Sequence, residues 1–115
     1  MKANEYQELA GRTLLDEMPE LSTLEIGLLW NAIGVAGEAG ELAELAKKGI
    51  FHKHGIDREK WKKEIGDVAW YLAALCTKLD LSFEEVLQHN IDKLKARYPE
   101  GFDFGRTKVR DGIAA

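Results

Sequence analysis

The spacing of the apolar residues limits this chain to a helical fold more strongly than any other feature. Between Pro19 and Pro99, the only two prolines, apolar positions recur every three or four residues, which is the repeat of a helix with one buried face. No segment alternates apolar and polar residues for long, and no Asn-Gly pair marks a hairpin turn. The pattern predicts an all-α, four-helix-bundle-like fold.

Capping residues divide the pattern into four helices. Ser22 and Ser82 each begin an S-x-x-E sequence typical of a capping box, Asp57 is a good N-cap, and Gly49 is expected to end the second helix. The expected ranges in chain order are residues 4–17, 22–48, 57–79 and 83–98. The inner side of the first helix is expected to consist of Tyr6, Leu9, Ala10, Leu14 and Leu15.

Length and composition exclude several classes of protein. A chain of 115 residues fits a single domain, expected over residues 1–115, and its longest apolar run has nine residues against the ~20 that cross a bilayer. The amino-terminal segment lacks the apolar stretch of a signal peptide, and the single Cys76 excludes an internal disulfide, so a cytoplasmic location is expected. A net charge of −4 argues against nucleic acid as a partner.

The third helix is too apolar for the outside of a small bundle. Residues 68–76 are apolar nearly all round the helix, and Trp70 points away from the face that would bury Tyr71 and Leu75. A subunit interface would explain this feature, as would a central position of this helix in the domain. We favour the interface, which predicts a homo-oligomer.

Carboxylates lie on the apolar faces of the two long helices. At ~100° per residue, Glu64 and Asp67 share one face of the third helix with Val68, Tyr71 and Leu75. An isolated E-x-x-E pair most often lies on the solvent-exposed face of a helix, because Glu is a good helix former that is almost never buried unpaired. Acids on an inward face do not fit that interpretation.

The second helix repeats the arrangement. Glu38 and Glu41 lie on the side that carries Leu42 and Leu45. Burying four like charges costs several kcal/mol unless a cation neutralises them. The adjacent lysines, Lys62 and Lys63, are expected to point away from this face, so the acids predict a divalent ion. Oxygen ligands without cysteine favour Mg²⁺ or Mn²⁺.

A di-iron carboxylate bundle is the alternative metal site. Such a bundle needs Glu-x-x-His on each of two helices, and none of the thirteen glutamates has histidine three residues later. The three histidines, His52, His54 and His89, are interpreted as loop and surface residues. The di-iron alternative is therefore rejected.

Two segments, GVAGEAGELAEL (residues 34–45) and KKEIGDVAWYLAAL (residues 62–75), resemble the MazG-like all-α nucleoside triphosphate pyrophosphohydrolases. The signature of that family, E-x-x-E followed by E-x-x-D, corresponds to Glu38, Glu41, Glu64 and Asp67. The resemblance continues through NIDKLKARYPEGF (residues 90–102), so it covers about residues 22–102 and leaves a carboxyl-terminal arm, residues 103–115.

The resemblance implies an enzyme that hydrolyses a nucleoside triphosphate to the monophosphate and pyrophosphate with Mg²⁺ or Mn²⁺, in a house-cleaning role. It also implies a dimer or tetramer. Glu38, Glu41, Glu64 and Asp67 would hold the metal, and Glu38 or Glu41, with a preference for Glu41, would orient or deprotonate the attacking water. The residues expected to contact the nucleotide are Asn31, Tyr71, Asn90, Lys93 and Arg97.

Two other functions remain open at the level of sequence. A related all-α hydrolase that acts on phosphoribosyl-ATP shares the acidic pattern. A helical interaction module that has kept the scaffold without catalysis would pair its acids with basic side chains instead of a metal.

Overall fold

The computed structural model describes residues 1–101 and is helical. The four α-helices are α1 (Ala3–Ala10), α2 (Thr23–Ile50), α3 (Arg58–Lys78) and α4 (Phe83–Arg97), and a 3₁₀ turn, Gly11–Thr13, follows α1. Within residues 1–101 no strand forms, and the one β-type feature is an isolated bridge between Pro99 and Gly101. The predicted all-α class is confirmed; the expected arm at residues 103–115 lies outside the described residues.

The predicted N-terminal caps form in all three long helices. Ser22 Oγ accepts a hydrogen bond from the Glu25 N–H at 3.1 Å, and Glu25 Oε1 accepts one from the Ser22 N–H at 3.0 Å, which completes the capping box. The Asp57 carboxylate accepts from the first-turn amides of α3, and Ser82 Oγ accepts from the Glu85 N–H at 3.2 Å. These local bonds fix where α2, α3 and α4 begin.

Gly49 does not end the second helix as predicted. The helix passes through it to Ile50, and the chain then folds back so that the Gly55 N–H donates to the Gly49 carbonyl at 3.2 Å. A Cβ on residue 49 would lie 2.8 Å from the Gly55 carbonyl oxygen. Gly49 therefore allows the α2–α3 loop to approach the helix backbone closely.

The third helix ends in a Schellman motif. Asp80 adopts a positive φ of 55°, the Leu81 N–H donates to the Cys76 carbonyl at 2.8 Å, and the Asp80 N–H donates to the Thr77 carbonyl at 3.3 Å. This turn satisfies the last carbonyls of α3 and leads directly to Ser82, the N-cap of α4.

The first helix is shorter than predicted. It ends at Ala10 rather than residue 17, and the residues expected on its inner side are exposed. Gly11 has low helix propensity, and Thr13 Oγ1 donates to the Ala10 carbonyl at 3.1 Å, which competes with continued helix. No extensive contact with another described helix compensates, because the main contact of α1 is with the adjoining turn.

The antiparallel contact between α2 and α3 is the main tertiary feature of the described chain. Asn31 and Cys76, at 7% and 8% exposed, are its buried residues, while twenty-three large apolar side chains remain exposed. The Cα radius of gyration is 20.5 Å, against about 13 Å for a compact chain of 100 residues. No helix in residues 1–101 is long and apolar enough to cross a bilayer.

Candidate metal centre

Three of the four predicted acids converge between α2 and α3. Glu38 lies on α2, and Glu64 and Asp67 lie one turn apart on α3. Each supplies a carboxylate oxygen within 4.8 Å of the other two, and all three residues are half-buried. The i, i+3 spacing on α3 directs its two acids toward the same side, where the helix contact brings Glu38 opposite them.

The charges of this acidic trio (Glu38, Glu64 and Asp67) act on one another. Burial raises the pKa of Glu38 above its ordinary value of 4.5, and the negative charges of Asp67, Glu64 and Glu41 raise it further. The site therefore resists holding three negative charges without a counterion. A set made only of carboxylate oxygens fits a hard divalent cation such as Mg²⁺ or Mn²⁺.

Lys63 lies closer to the trio than the sequence predicted. Its Nζ is 3.6 Å from Glu64 Oε1, and its positive charge partly offsets the raised pKa of Glu38. The expectation that Lys63 points away was wrong, because a long lysine side chain can bend back from its backbone direction. One exposed ammonium still leaves the trio with an excess of negative charge.

Glu41 does not join the trio. It lies one turn after Glu38 and is exposed, although its charge is near enough to raise the pKa of Glu38. The same ~60° rotation separates Glu64 from Asp67, so the register of α2 against α3 is what places Glu38 opposite them and leaves Glu41 toward the edge of the contact. Glu41 is therefore the predicted acid with the most access to solvent.

Asn31 lies on α2 two turns before Glu38, and Tyr71 lies on α3 one turn beyond Asp67. Asn31 is buried, and its Nδ2 donates to the Gly27 carbonyl at 2.7 Å. The ring of the half-buried Tyr71 packs directly on Gly34, where a Cβ would overlap the ring. This close contact was not predicted from the sequence, although a glycine one turn before Glu38 was a visible signal.

No extended contact joins α4 to the α2–α3 pair in the described chain. Helix packing therefore does not bring the three predicted nucleotide-binding residues of α4 to the trio. Asn90 and Lys93 are exposed, Arg97 is half-buried, and α4 does not share the α2–α3 contact in the described chain. The Arg97 guanidinium lies 5.3 Å from the centre of the Tyr98 ring. Contact between helices therefore adds no support for a role of these three residues, which stays a prediction.

The comparisons with known proteins agree with this geometry. The family model of the MazG nucleotide pyrophosphohydrolase domain matches residues 30–102, which is more than half of the chain. The chain belongs to the MazG family. The predicted resemblance is thereby confirmed, and the matched MazG region contains all nine predicted site residues.

A phage protein is also similar to this MazG chain. The Gene 37 protein of Mycobacterium phage L5 is 39% identical over 79 residues, which cover 65% of this chain and 69% of that protein. No solved structure matches. Membership of the MazG family indicates a nucleotide pyrophosphohydrolase. Enzymes of this family typically need a divalent metal, which the acidic trio is suited to hold.

Proposed function

We propose that this MazG protein is a Mg²⁺-dependent hydrolase that converts a nucleoside or deoxynucleoside triphosphate to the monophosphate and pyrophosphate, in a house-cleaning role in the cytoplasm. The observation that carries the proposal is the convergence of Glu38, Glu64 and Asp67 within 4.8 Å inside a MazG domain. Mn²⁺ has the same ligand preference and is expected to substitute.

The acids fit the demands of phosphoryl transfer. A triphosphate carries several negative charges, and a bound divalent cation would neutralise part of that charge and stabilise the leaving pyrophosphate. Glu38, Glu64 and Asp67 would hold the cation from two helices at once. The raised pKa of Glu38 supports this role, because crowded carboxylates gain the most from a cation.

Glu41 is our candidate for handling the attacking water. It is exposed, lies one turn from Glu38, and has no ion-pair partner among the described residues. A carboxylate outside the metal ligand set can accept a proton from water as the oxygen attacks phosphorus. If water attacks the α-phosphorus, the bond between that phosphorus and the α–β bridging oxygen breaks. The bridging oxygen then leaves with pyrophosphate.

The nucleotide would extend along the α2–α3 contact. Tyr71 offers an aromatic ring one turn beyond Asp67, and Asn31 offers an amide oxygen while its Nδ2 is bonded to Gly27. The basic side chains Lys93 and Arg97, with Asn90 on the same flank, are proposed to hold phosphate oxygens. Basic groups on one helix face can pair with several phosphate oxygens at once.

The test is a Mg²⁺-dependent assay of pyrophosphate release across standard and non-canonical NTPs and dNTPs. Glu38→Gln should abolish release, whereas the matched control Glu44→Gln should retain it. Glu44 lies on the same helix, and its Oε1 is 3.8 Å from Lys48 Nζ, in an exposed pair. Hydrolysis of phosphoribosyl-ATP alone would assign the related reaction, and inactivity on the whole panel would favour the non-catalytic module.

A further inference from the structure

An open concavity lies at the loop end of α3, and no residue of the acidic trio lines it. Its volume is about 560 Å³, within the range of ~300–1,000 Å³ that is typical of small-molecule sites. Its lining combines an aromatic ring, two cations, one carboxylate and two aliphatic side chains, namely Trp61, Arg58, Lys62, Glu59, Ile56 and Ile65. We call this space the Trp61 concavity.

The Trp61 concavity faces a different direction from the metal centre. At ~100° per residue, its main α3 residues form a strip centred about 110° round the helix from Glu64, and Trp61 lies at the near edge of that strip. Glu64 and Asp67 instead converge with Glu38 of α2. A ligand in the concavity would therefore lie beside α3 and not between the two helices.

The two cations of the concavity are without a partner in the described chain. Arg58 and Lys62 are exposed, lie four residues apart on one flank of α3, and make no ion pair within residues 1–101. Like charges at this spacing on a helix repel each other. An anion between them would relieve that repulsion and accept charge-assisted hydrogen bonds from both side chains.

Trp61 lacks the hydrogen bond that a buried indole N–H ordinarily makes. Its Nε1 is buried without a partner in residues 1–101, although the residue as a whole is half-buried. Because no hydrogen bond anchors the ring, a rotation of the ring toward a ligand would break none. An aromatic face next to cations is suited to stacking with a planar heteroaromatic ring.

The α2–α3 loop supplies one wall of the concavity. Gly55 has a φ of 87°, and its N–H donates to the Gly49 carbonyl at 3.2 Å, which ties the loop to the end of α2. Ile56 follows directly and lines the concavity beside the first turn of α3. The shape of the space is thus set by backbone contacts of the fold.

We propose that the Trp61 concavity binds a nucleoside monophosphate independently of the metal centre. The base stacks on Trp61, and the phosphate lies between Arg58 and Lys62. The Glu59 carboxylate accepts hydrogen bonds from the sugar hydroxyls. A phosphate monoester carries close to two negative charges at neutral pH, which two cations neutralise. Base, sugar and phosphate therefore each find a matching group in the lining.

This binding does not rest on the proposed hydrolysis, because no residue of the concavity belongs to the metal centre. A nucleoside monophosphate is also the product of that proposed reaction. The concavity would thus allow the product to bind outside the metal centre.

The first experiment follows the fluorescence of Trp61 in the full chain carrying Trp30→Phe and Trp70→Phe. Trp61 is then the only tryptophan, and both replaced side chains are exposed. In EDTA, at least one of AMP, GMP, CMP and UMP should quench the emission to saturation, whereas ribose 5-phosphate, which has no base, should not. No quenching by any of them, or equal quenching by ribose 5-phosphate, would overturn the proposal.

Titration calorimetry tests the phosphate contacts in a chain that keeps its tryptophans. Arg58→Ala with Lys62→Ala should raise the dissociation constant of the monophosphate at least about tenfold, because two charged hydrogen-bond donors are lost. The matched control is Lys60→Ala with Lys95→Ala, which removes the same charge from exposed positions outside the concavity. Equal weakening in the two double variants would reduce the effect to net charge and refute the contacts.

The metal centre supplies the last comparison. In EDTA, Glu38→Gln should not weaken binding of the monophosphate, because Glu38 lies outside the concavity. Binding that requires Mg²⁺ and is lost in Glu38→Gln would locate the nucleotide at the metal centre and overturn a separate site. Intact monophosphate binding by a chain that hydrolyses no triphosphate would support the concavity and refute only the proposed hydrolysis.

Discussion

The contact between Gly34 and Tyr71 predicts the effect of a single added methyl group. In Gly34→Ala the new Cβ would overlap three atoms of the Tyr71 ring, and Trp70 lies against that ring edge-on. Alanine gains about 1 kcal/mol of helix propensity over glycine, whereas overpacking costs about 1–3 kcal/mol. Because the overlap is severe, we expect the upper end of that cost and a net loss of about 2 kcal/mol.

The matched control is Gly40→Ala on the same helix. A Cβ at residue 40 meets nothing within 4 Å, so this variant should gain the propensity alone, about 1 kcal/mol. At about 4–8 °C per kcal/mol, the two variants should shift the melting temperature in opposite directions. The assay is thermal unfolding followed by circular dichroism, without metal and at one protein concentration.

A double variant separates the clash from other effects of the substitution. Removing the ring with Tyr71→Ala should make Gly34→Ala much less costly, and the difference is the coupling energy of the pair. Gly34→Ala should also weaken Mg²⁺ binding, because Glu38 and Asp67 each lie one turn from this contact on opposite helices. If Gly34→Ala raises the melting temperature as much as Gly40→Ala does, the packing argument is wrong.

Three further variants test the site. Asp67→Asn should abolish Mg²⁺-dependent turnover while circular dichroism retains its helical signal. It should also abolish the stabilisation of the wild type by Mg²⁺, which is about 2.7 kcal/mol at an ion concentration of one hundred times the dissociation constant. Near-normal turnover would remove Asp67 from the site. The pKa of Glu38 is raised above 4.5 in the folded protein, so native Glu38 holds its proton longer and stability without metal falls as pH rises from 4.5 through the folded pKa. Glu38→Gln should lack this fall and melt higher than the wild type at neutral pH but not below pH 4.5; parallel curves of melting temperature against pH would contradict it. Arg97→Ala should raise KM before it lowers thermal stability, and the opposite order in steady-state kinetics and melting would make Arg97 structural.

Local chemistry made much of the fold predictable from sequence. Ser22, Asp57 and Ser82 each bond to backbone amides two or three residues later, so a short stretch of sequence contains the whole interaction. The first helix could not be predicted in the same way. Its length beyond Ala10 would need packing that no other described helix supplies, and propensity alone does not sustain a short helix.

The candidate site was predictable as a set of positions and less so as a set of contacts. Helix periodicity places Glu64 and Asp67 on one face without further information. Which residue of α2 stands opposite them depends on the register of the two helices, and this register selects Glu38 over Glu41. The approach of Lys63 depends on the bending of a flexible side chain, which periodicity does not describe.

The acidic trio lowers the stability of the α2–α3 pair when no metal is bound. Three carboxylates repel one another at the α2–α3 contact, where a stable hairpin would hold apolar groups. The apolar residues that would fill such a core instead lie on outer faces, as Trp70 does on α3. A single metal-free chain thus lacks both charge neutralisation and apolar burial. A cation between the helices would supply the first, so we expect added Mg²⁺ to raise the melting temperature of the chain.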